Sequence, residues 1–445
     1  MSIHINKWFG ALAVILSMTS AVGIPTLLAN PAATSHTYAL IVGGSGGLYS
    51  FDGKNLNRIP TPTTENLTDI KWKHDGSYAL ISGEDGTLLK YDGTSMKVIP
   101  TGLGSEVDLE AISWKPDDSE ALIVGTDHFS NSSYGVVLRF DGNTVTQLAD
   151  EKFIGFRSVA WSADGIYAIL AGYSTEEFFH GHIARLDGNT LETIPAPTND
   201  SLNAATWYPR GNYAFIGGDV HGGALNTTLF QYNGATIDPV NTFKCCFTVD
   251  AHTTRSISFD DDTGMGVING NKGLVILFDQ GNMSRIRTYT IGKGNSIDLH
   301  HIGDFYSAAW VPGAGVAYAV GTNGTIARIA SNRVALMSQG TPNVTFRSIG
   351  IIEYPGSRVL AHVTPLAAFY PESNLQIVED FWASHYQRIT LDAIVAILVI
   401  VFVFELALQR EASKNKRKRN EETVGRSVSQ QATNRSLEQP GSRLA

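Results

Sequence analysis

Seven of the chain's twelve histidines, His128, His180, His182, His221, His252, His300 and His301, fall in a few polar segments that also carry Asp127, Asp219, Asp250, Asp298 and Asp304. Imidazole and carboxylate together form a ligand set for first-row metals. Three or four of them converging would hold Cu or Zn, with each imidazole kept in one tautomer by an outer acid such as Asp219 or Asp298. His180 and His182 stand on one side of an extended strand and, with His221, His300 and His301, are the candidate metal ligands. Histidine also populates loops simply because it is polar, and spacing does not establish convergence. A second set is Arg157, Arg255 and Arg347, each the second residue of a recurring hexad. A guanidinium is a planar fork of donors that fits a carboxylate or phosphate, so three of them at one mouth would bind an acidic ligand or peptide segment. The competing expectation is that each is neutralised by an acid of a neighbouring repeat.

The elements that must position these groups repeat along the chain. "LTDIKW", "LEAISW", "FRSVAW", "LNAATW", "TRSISF", "FYSAAW" and "FRSIGI" begin at Leu67, Leu109, Phe156, Leu202, Thr254, Phe305 and Phe346. A second phrase, "YALIVGG", "YALISGE", "EALIVGT", "YAILAGY", "YAFIGGD", "MGVINGN" and "VAYAVGT", recurs from Tyr38, Tyr78, Glu120, Tyr167, Tyr213, Met265 and Val316. A third strand follows, often ending in "DG" as in "LYSFDG" and "LLKYDG", and then a fourth such as "LNRIP". Four short alternating strands with Gly, Asp and Asn turns make one propeller blade. The first "YALIVGG" lacks the hexad before it and the last hexad lacks the strands after it, so the two ends complete one blade. The fold class expected is all-β: a seven-bladed β-propeller closed by its terminal strands, with one C-terminal transmembrane helix. "YPGSRVLAHVT", Tyr354 to Thr364, leaves room for an eighth, partial blade. The tryptophans are expected in the core.

The phrase W-x-x-D-G-x-Y-A-L-x-x-G-x-x-G-x-L, over Tyr38 to Arg358, resembles the WD40/YVTN-like repeat propellers, and its wording is similar to the Ycf48/Hcf136-type photosystem-assembly propellers. The resemblance implies a propeller scaffold that works with protein partners. The Trp-Asp dipeptide of WD40 repeats and its paired Gly-His are missing.

In such a blade the connections between the fourth and first strands and between the second and third emerge on one face. Here that face carries the long segments "GTDHFSNSSYG", "GYSTEEFFHGH", "GGDVHGGALNTT", "NTFKCCFTVDAHTT" and "GKGNSIDLHHIGDF". Long loops on a rigid scaffold are where binding concentrates. The hexads' second residues, Thr68, Glu110, Arg157, Asn203, Arg255, Tyr306 and Arg347, should ring the channel mouth on that face, with Glu110, Tyr306 and the three arginines as candidate ligand contacts.

The chain's ends point to a membrane. Residues 1–33 read as a signal peptide, with a cut possible after Gly23, or as an N-terminal anchor; 34–363 is the propeller, 364–388 a juxtamembrane linker, 389–409 an apolar run, and 410–445 a basic, polar tail. About 20 apolar residues at 1.5 Å each cross a 30 Å hydrocarbon layer. The basic run "QREASKNKRKRN" after it places the tail in the cytoplasm and the propeller outside, a single-pass type I arrangement. With a net charge of -9 the body of the chain disfavours nucleic acid. The only two cysteines, Cys245 and Cys246, are adjacent and form no disulfide framework. Sequons at Asn66, Asn131, Asn199, Asn226, Asn282, Asn323 and Asn343 all fall in the proposed exterior domain. No H-E-x-x-H occurs, and "GGSGG" at Gly43 to Gly47 is a strand turn rather than a phosphate loop. The leading expectation is therefore a membrane-anchored extracytoplasmic propeller, without a cofactor, that binds a protein or cell-envelope component as receptor or assembly scaffold. The alternative is a metal-dependent or redox enzyme built on the histidine face.

Overall fold

The computed structural model describes residues 36–128, 133–176, 180–220, 229–240, 253–279, 282–286, 288–290, 296–299, 302–330, 333–339 and 344–354. All lie in one compact unit, Met1–Phe369. The segments 1–33, 364–388, 389–409 and 410–445 lie outside the described residues, as do Cys245, Cys246 and the tract 355–364 read as a further strand. Among the described residues no helix is long and apolar enough to cross a membrane.

Among the described residues there are seven sheets, six antiparallel and one mixed, and each is led by one of the repeated hexads. The inner strands, defining blades one to seven, are Leu67–Trp72, Val107–Trp114, Ile154–Trp161, Leu202–Trp207, Thr254–Phe259, Phe305–Val311 and Phe346–Tyr354. Each touches the next in order, and the seventh touches the first, so the ring closes at seven. In the seventh blade Phe346–Tyr354 pairs with His36–Gly43, Tyr38 opposite Ile352 and Val42 opposite Ser348. The two ends of the repeat array therefore share one sheet, as their offset phase demands.

Burial follows strand position. The second strands, such as Ala79–Gly83 and Ala214–Gly218, are buried throughout, because both faces pack against neighbouring blades. That is why they read as unbroken apolar runs. The tryptophans add a directional bond to this packing. Nε1 of Trp114, Trp207 and Trp310 donates to the carbonyls of Lys71, Ala160 and Ser258 in the preceding blade, at 3.3, 3.3 and 3.1 Å. Tyr78 and Tyr167 meet the next blade's Trp114 and Trp207 edge to face, at 5.6 and 5.5 Å. The "DG" turns are held by their aspartates: Asp92 Oδ1 accepts from the Thr94 and Ser95 amides at 2.9 and 2.7 Å while Gly93 takes a φ of 87°. "GGSGG" is a hairpin turn with Ser45 and Gly46 both left-handed.

The sixth blade departs from the repeat. "GKGNSIDLHHIGDF" reads as a connection, but Ser296–Asp298 within it pairs with Thr288–Thr290, which in turn lies parallel to Arg333–Gln339. Two strands are thereby added to that blade's outer edge, giving six.

Candidate channel-mouth site

In all seven inner strands the register slips by one residue near the start. Leu67 faces Gly83 and Asp69 faces Ser82, so Thr68 has no partner. The residues skipped in this way are Thr68, Glu110, Arg157, Asn203, Arg255, Tyr306 and Arg347, the hexads' second positions. A bulge re-aims its extra residue, and here all seven line one central cavity of about 320 Å³. The glycine at or near the end of each second strand is what admits the bulge. A Cβ on Gly172 would stand 1.9 Å from the Gly155 carbonyl oxygen, and one on Gly125 would stand 2.0 Å from that of Asp108. Gly43, Gly83, Gly218, Gly270 and Gly321 sit against the matching carbonyl in their own blades.

One position deeper, hydrogen bonds join adjacent inner strands. Asp69, buried, accepts from the Ile70 and Ile112 amides at 2.9 Å each and from Ser348 Oγ at 2.7 Å, which links blades seven, one and two. Ser158 Oγ accepts from the Ala205 amide at 2.9 Å, and Ser307 Oγ from that of Ile349 at 3.4 Å. The mouth therefore stands on a tied base.

The three arginines differ in their surroundings. Arg157 donates to Asn203 Oδ1 at 2.5 Å, lies 3.7 Å from Asp219 Oδ2, and covers the Tyr173 ring at 4.7 Å. Asn203 returns its amide to Asp219 at 2.8 Å and to the Thr254 carbonyl at 3.1 Å. Arg255 lies 3.8 Å from Asp304 Oδ2, and its buried Nε has no hydrogen-bond partner among the described residues. Both acids belong to the next blade or the segment leading into it, so two of the three guanidiniums follow the neutralised pattern. Arg347 does not: it is exposed, and among the described residues it meets no acid within ion-pair distance, only the Tyr306 ring at 4.7 Å. Arg255 approaches the same ring at 5.3 Å. Glu110 is part-buried, and among the described residues no hydrogen bond or ion pair reaches its carboxyl. Burial pushes that carboxyl's pKa above the usual carboxylate range; Arg157 and Arg347 oppose the rise, while Asp108 and Glu84 add to it.

The described loop histidines each meet a different partner. His180 Nδ1 meets Asn199 Oδ1 at 3.1 Å, His182 packs on Phe156 at 5.8 Å between centroids, and His128 lies 3.3 Å from Asp108. Burial depresses the pKa of His182. Among the described residues no three His, Cys, Asp or Glu side chains gather as a metal-holding group. His221, His300 and His301 lie outside the described residues. Of the sequons, Asn199 and Asn323 are exposed, whereas Asn66 uses both ends of its amide, accepting from the Ser45 amide at 3.0 Å and donating to Glu84 at 2.8 Å. Asn131, Asn226 and Asn343 lie outside the described residues, and only the backbone of Asn282 is described.

Sequence spacing located the mouth but not its acids, since Asp219 and Asp304 stood out only as companions of the loop histidines. Each follows or precedes a bulge in the blade after its arginine, and a signal for that lies in the alignment of successive blades.

No protein family and no curated protein matches the chain. Among solved structures, the crystal structure of a nidogen/laminin complex is similar at 9% identity and a TM-score of 0.43, over 72% of this chain and 100% of that one. A putative TolB from Agrobacterium tumefaciens is similar at 11% identity and a TM-score of 0.39, over 72% and 99%. The seven-bladed assignment rests on the strand pairing itself.

Proposed function

We propose that this chain is a membrane-anchored, extracytoplasmic propeller that binds an acidic protein or cell-envelope component across its long-loop face, as a receptor or assembly scaffold. The observation that carries the reading is Arg347, an exposed guanidinium at the channel mouth with no acid beside it among the described residues. A surface cation left without a counter-charge beside a concave opening is suited to an incoming carboxylate. The sequence lengthens the connections after the second strands of blades two, three and four, and long connections on a rigid scaffold are where binding concentrates. The apolar run 389–409 and the cations after it supply the anchor and its direction.

Two measurements test this. Binding of poly-L-glutamate to the full-length chain in detergent should weaken about tenfold in Arg347→Gln, the scale of a lost charged hydrogen-bond partner, and should fall with added salt. Binding unaffected by the substitution would remove the mouth from the reading. Protease added to intact cells should cut within 364–388 and spare the tail; a tail clipped behind a sealed membrane would reverse the topology.

A further inference from the structure

The ring at the mouth has a paired half and an unpaired half. Arg157 and Arg255, on blades three and five, lean on Asp219 and Asp304. Arg347 and Glu110, on blades seven and two, have no ion pair with each other or with any other described residue. Blade one stands between them, and its Thr68 is occupied, bonding Ser82 Oγ at 3.0 Å and donating to the Leu109 carbonyl. An acid and a guanidinium lining one cavity would neutralise each other if they could reach. Here an intervening strand, tied to both flanking blades through Asp69, holds them apart. A part-enclosed carboxylate with no donor is unfavourable, and one small molecule carrying both an ammonium and a carboxylate would satisfy both groups at once.

We propose that blades seven, one and two form a site for a small free amino acid, its ammonium held by Glu110 and its carboxylate by Arg347, with Tyr306 as the wall on which Arg347 rests. The cavity of about 320 Å³ is at the small end of ligand pockets, which run from roughly 300 Å³. Glu110 is the group that separates this ligand from an acidic polymer: it attracts the ammonium of an amino acid and repels a chain of carboxylates. The inference shares a face with the binding role proposed above but does not depend on it.

The test is calorimetric titration of the full-length chain in detergent with glycine, β-alanine and γ-aminobutyrate, which hold the two charges progressively further apart. At least one should bind with saturable heat, and its N-acetyl and methyl-ester derivatives should each bind about tenfold or more weakly, since each removes one charged partner. Glu110→Gln, a near-isosteric change, should weaken the amino acid by a similar factor while leaving poly-L-glutamate binding equal or stronger. Arg347→Gln should weaken both probes. No heat from any of the three, an N-acetyl derivative as tight as its parent, or full affinity in Glu110→Gln would overturn the proposal. Loss of poly-L-glutamate binding alone would count only against the acidic-partner reading.

Discussion

Glu110 and Asp69 are neighbours in the channel wall with opposite solutions to the problem of a carboxylate away from bulk water. Asp69 is surrounded by donors: two backbone amides and a serine hydroxyl from three successive inner strands. Asp69→Ala would orphan the Ile112 amide and the Ser348 hydroxyl, and by urea denaturation it should cost about 2–4 kcal/mol, since each buried group left unpaired costs roughly 1–3 kcal/mol. Glu110 has no donor, and burial raises its pKa. The sign follows from linkage. A carboxyl that takes its proton more readily in the folded state than in the unfolded one destabilises the fold once pH exceeds its raised value, and costs nothing below the ordinary value. Glu110→Gln should therefore raise the melting temperature at pH 7. The gain should shrink as pH falls, disappearing near the ordinary carboxylate value of about 4. Thermal melts of both proteins from pH 8 to 4 check it. A difference that grows on acidification would show that Glu110 stabilises the fold as a partnered anion.

At the scale of the strand, the glycine at the sixth place of each repeated phrase and the variable residue at the second position of each hexad are two parts of one device. The glycine leaves space for a carbonyl, the carbonyl belongs to a bulge, and the bulge turns one side chain per blade into the cavity. Gly172→Ala places a methyl group 1.9 Å from a backbone oxygen, so it should cost the upper end of the ~1–3 kcal/mol typical of overpacking. It should also disturb Arg157 more than a change elsewhere in the blade would. A fully stable Gly172→Ala protein with unaltered ligand binding would show that the bulge tolerates a Cβ. The positions of glycine and ring residue were visible in the sequence because every copy repeats them, but their cause was not, because the collision joins two strands and no single-strand pattern encodes it. The tryptophans show the same limit: their burial was readable, while the indole bonds to Lys71, Ala160 and Ser258 depend on how blades meet. Trp207→Phe keeps most of the packing and loses one such bond, so it should cost about 1 kcal/mol. The outer strands of blade six escaped reading for another reason. Thr288–Thr290 and Ser296–Asp298 are three residues each, too short to show a period of two.

The propeller is a ring whose last blade is made from both ends of the repeat array, and its closure was legible because the repeat begins out of phase. That same arrangement makes Phe346–Tyr354 the strand on which the ring depends. It covers the full length of His36–Gly43, from His36 opposite Tyr354 to Gly43 opposite Phe346. It also supplies the Ser348 hydroxyl to Asp69 in blade one, donates the Ile349 amide to Ser307 Oγ in blade six, and carries Arg347 into the mouth. Without it, His36–Gly43 becomes an unpaired apolar edge, and such edges recruit strands from other chains. A chain stopped at residue 345 should therefore lose its single cooperative thermal transition and elute as oligomers in size-exclusion chromatography. A synthetic peptide spanning 344–354, added in trans, should pair with the open edge, restore the monomer and recover the transition in proportion to peptide occupancy. The same peptide with Arg347 replaced by Gln should restore the monomer equally well but not glycine or poly-L-glutamate binding, because closure uses the strand's backbone and buried side chains while the proposed recognition uses Arg347, the one residue the bulge sends into the channel. A truncated chain that stays monomeric with an unshifted melting temperature would mean that six blades hold together without the seventh being completed, and the ring would then owe its stability to the contacts between successive blades alone.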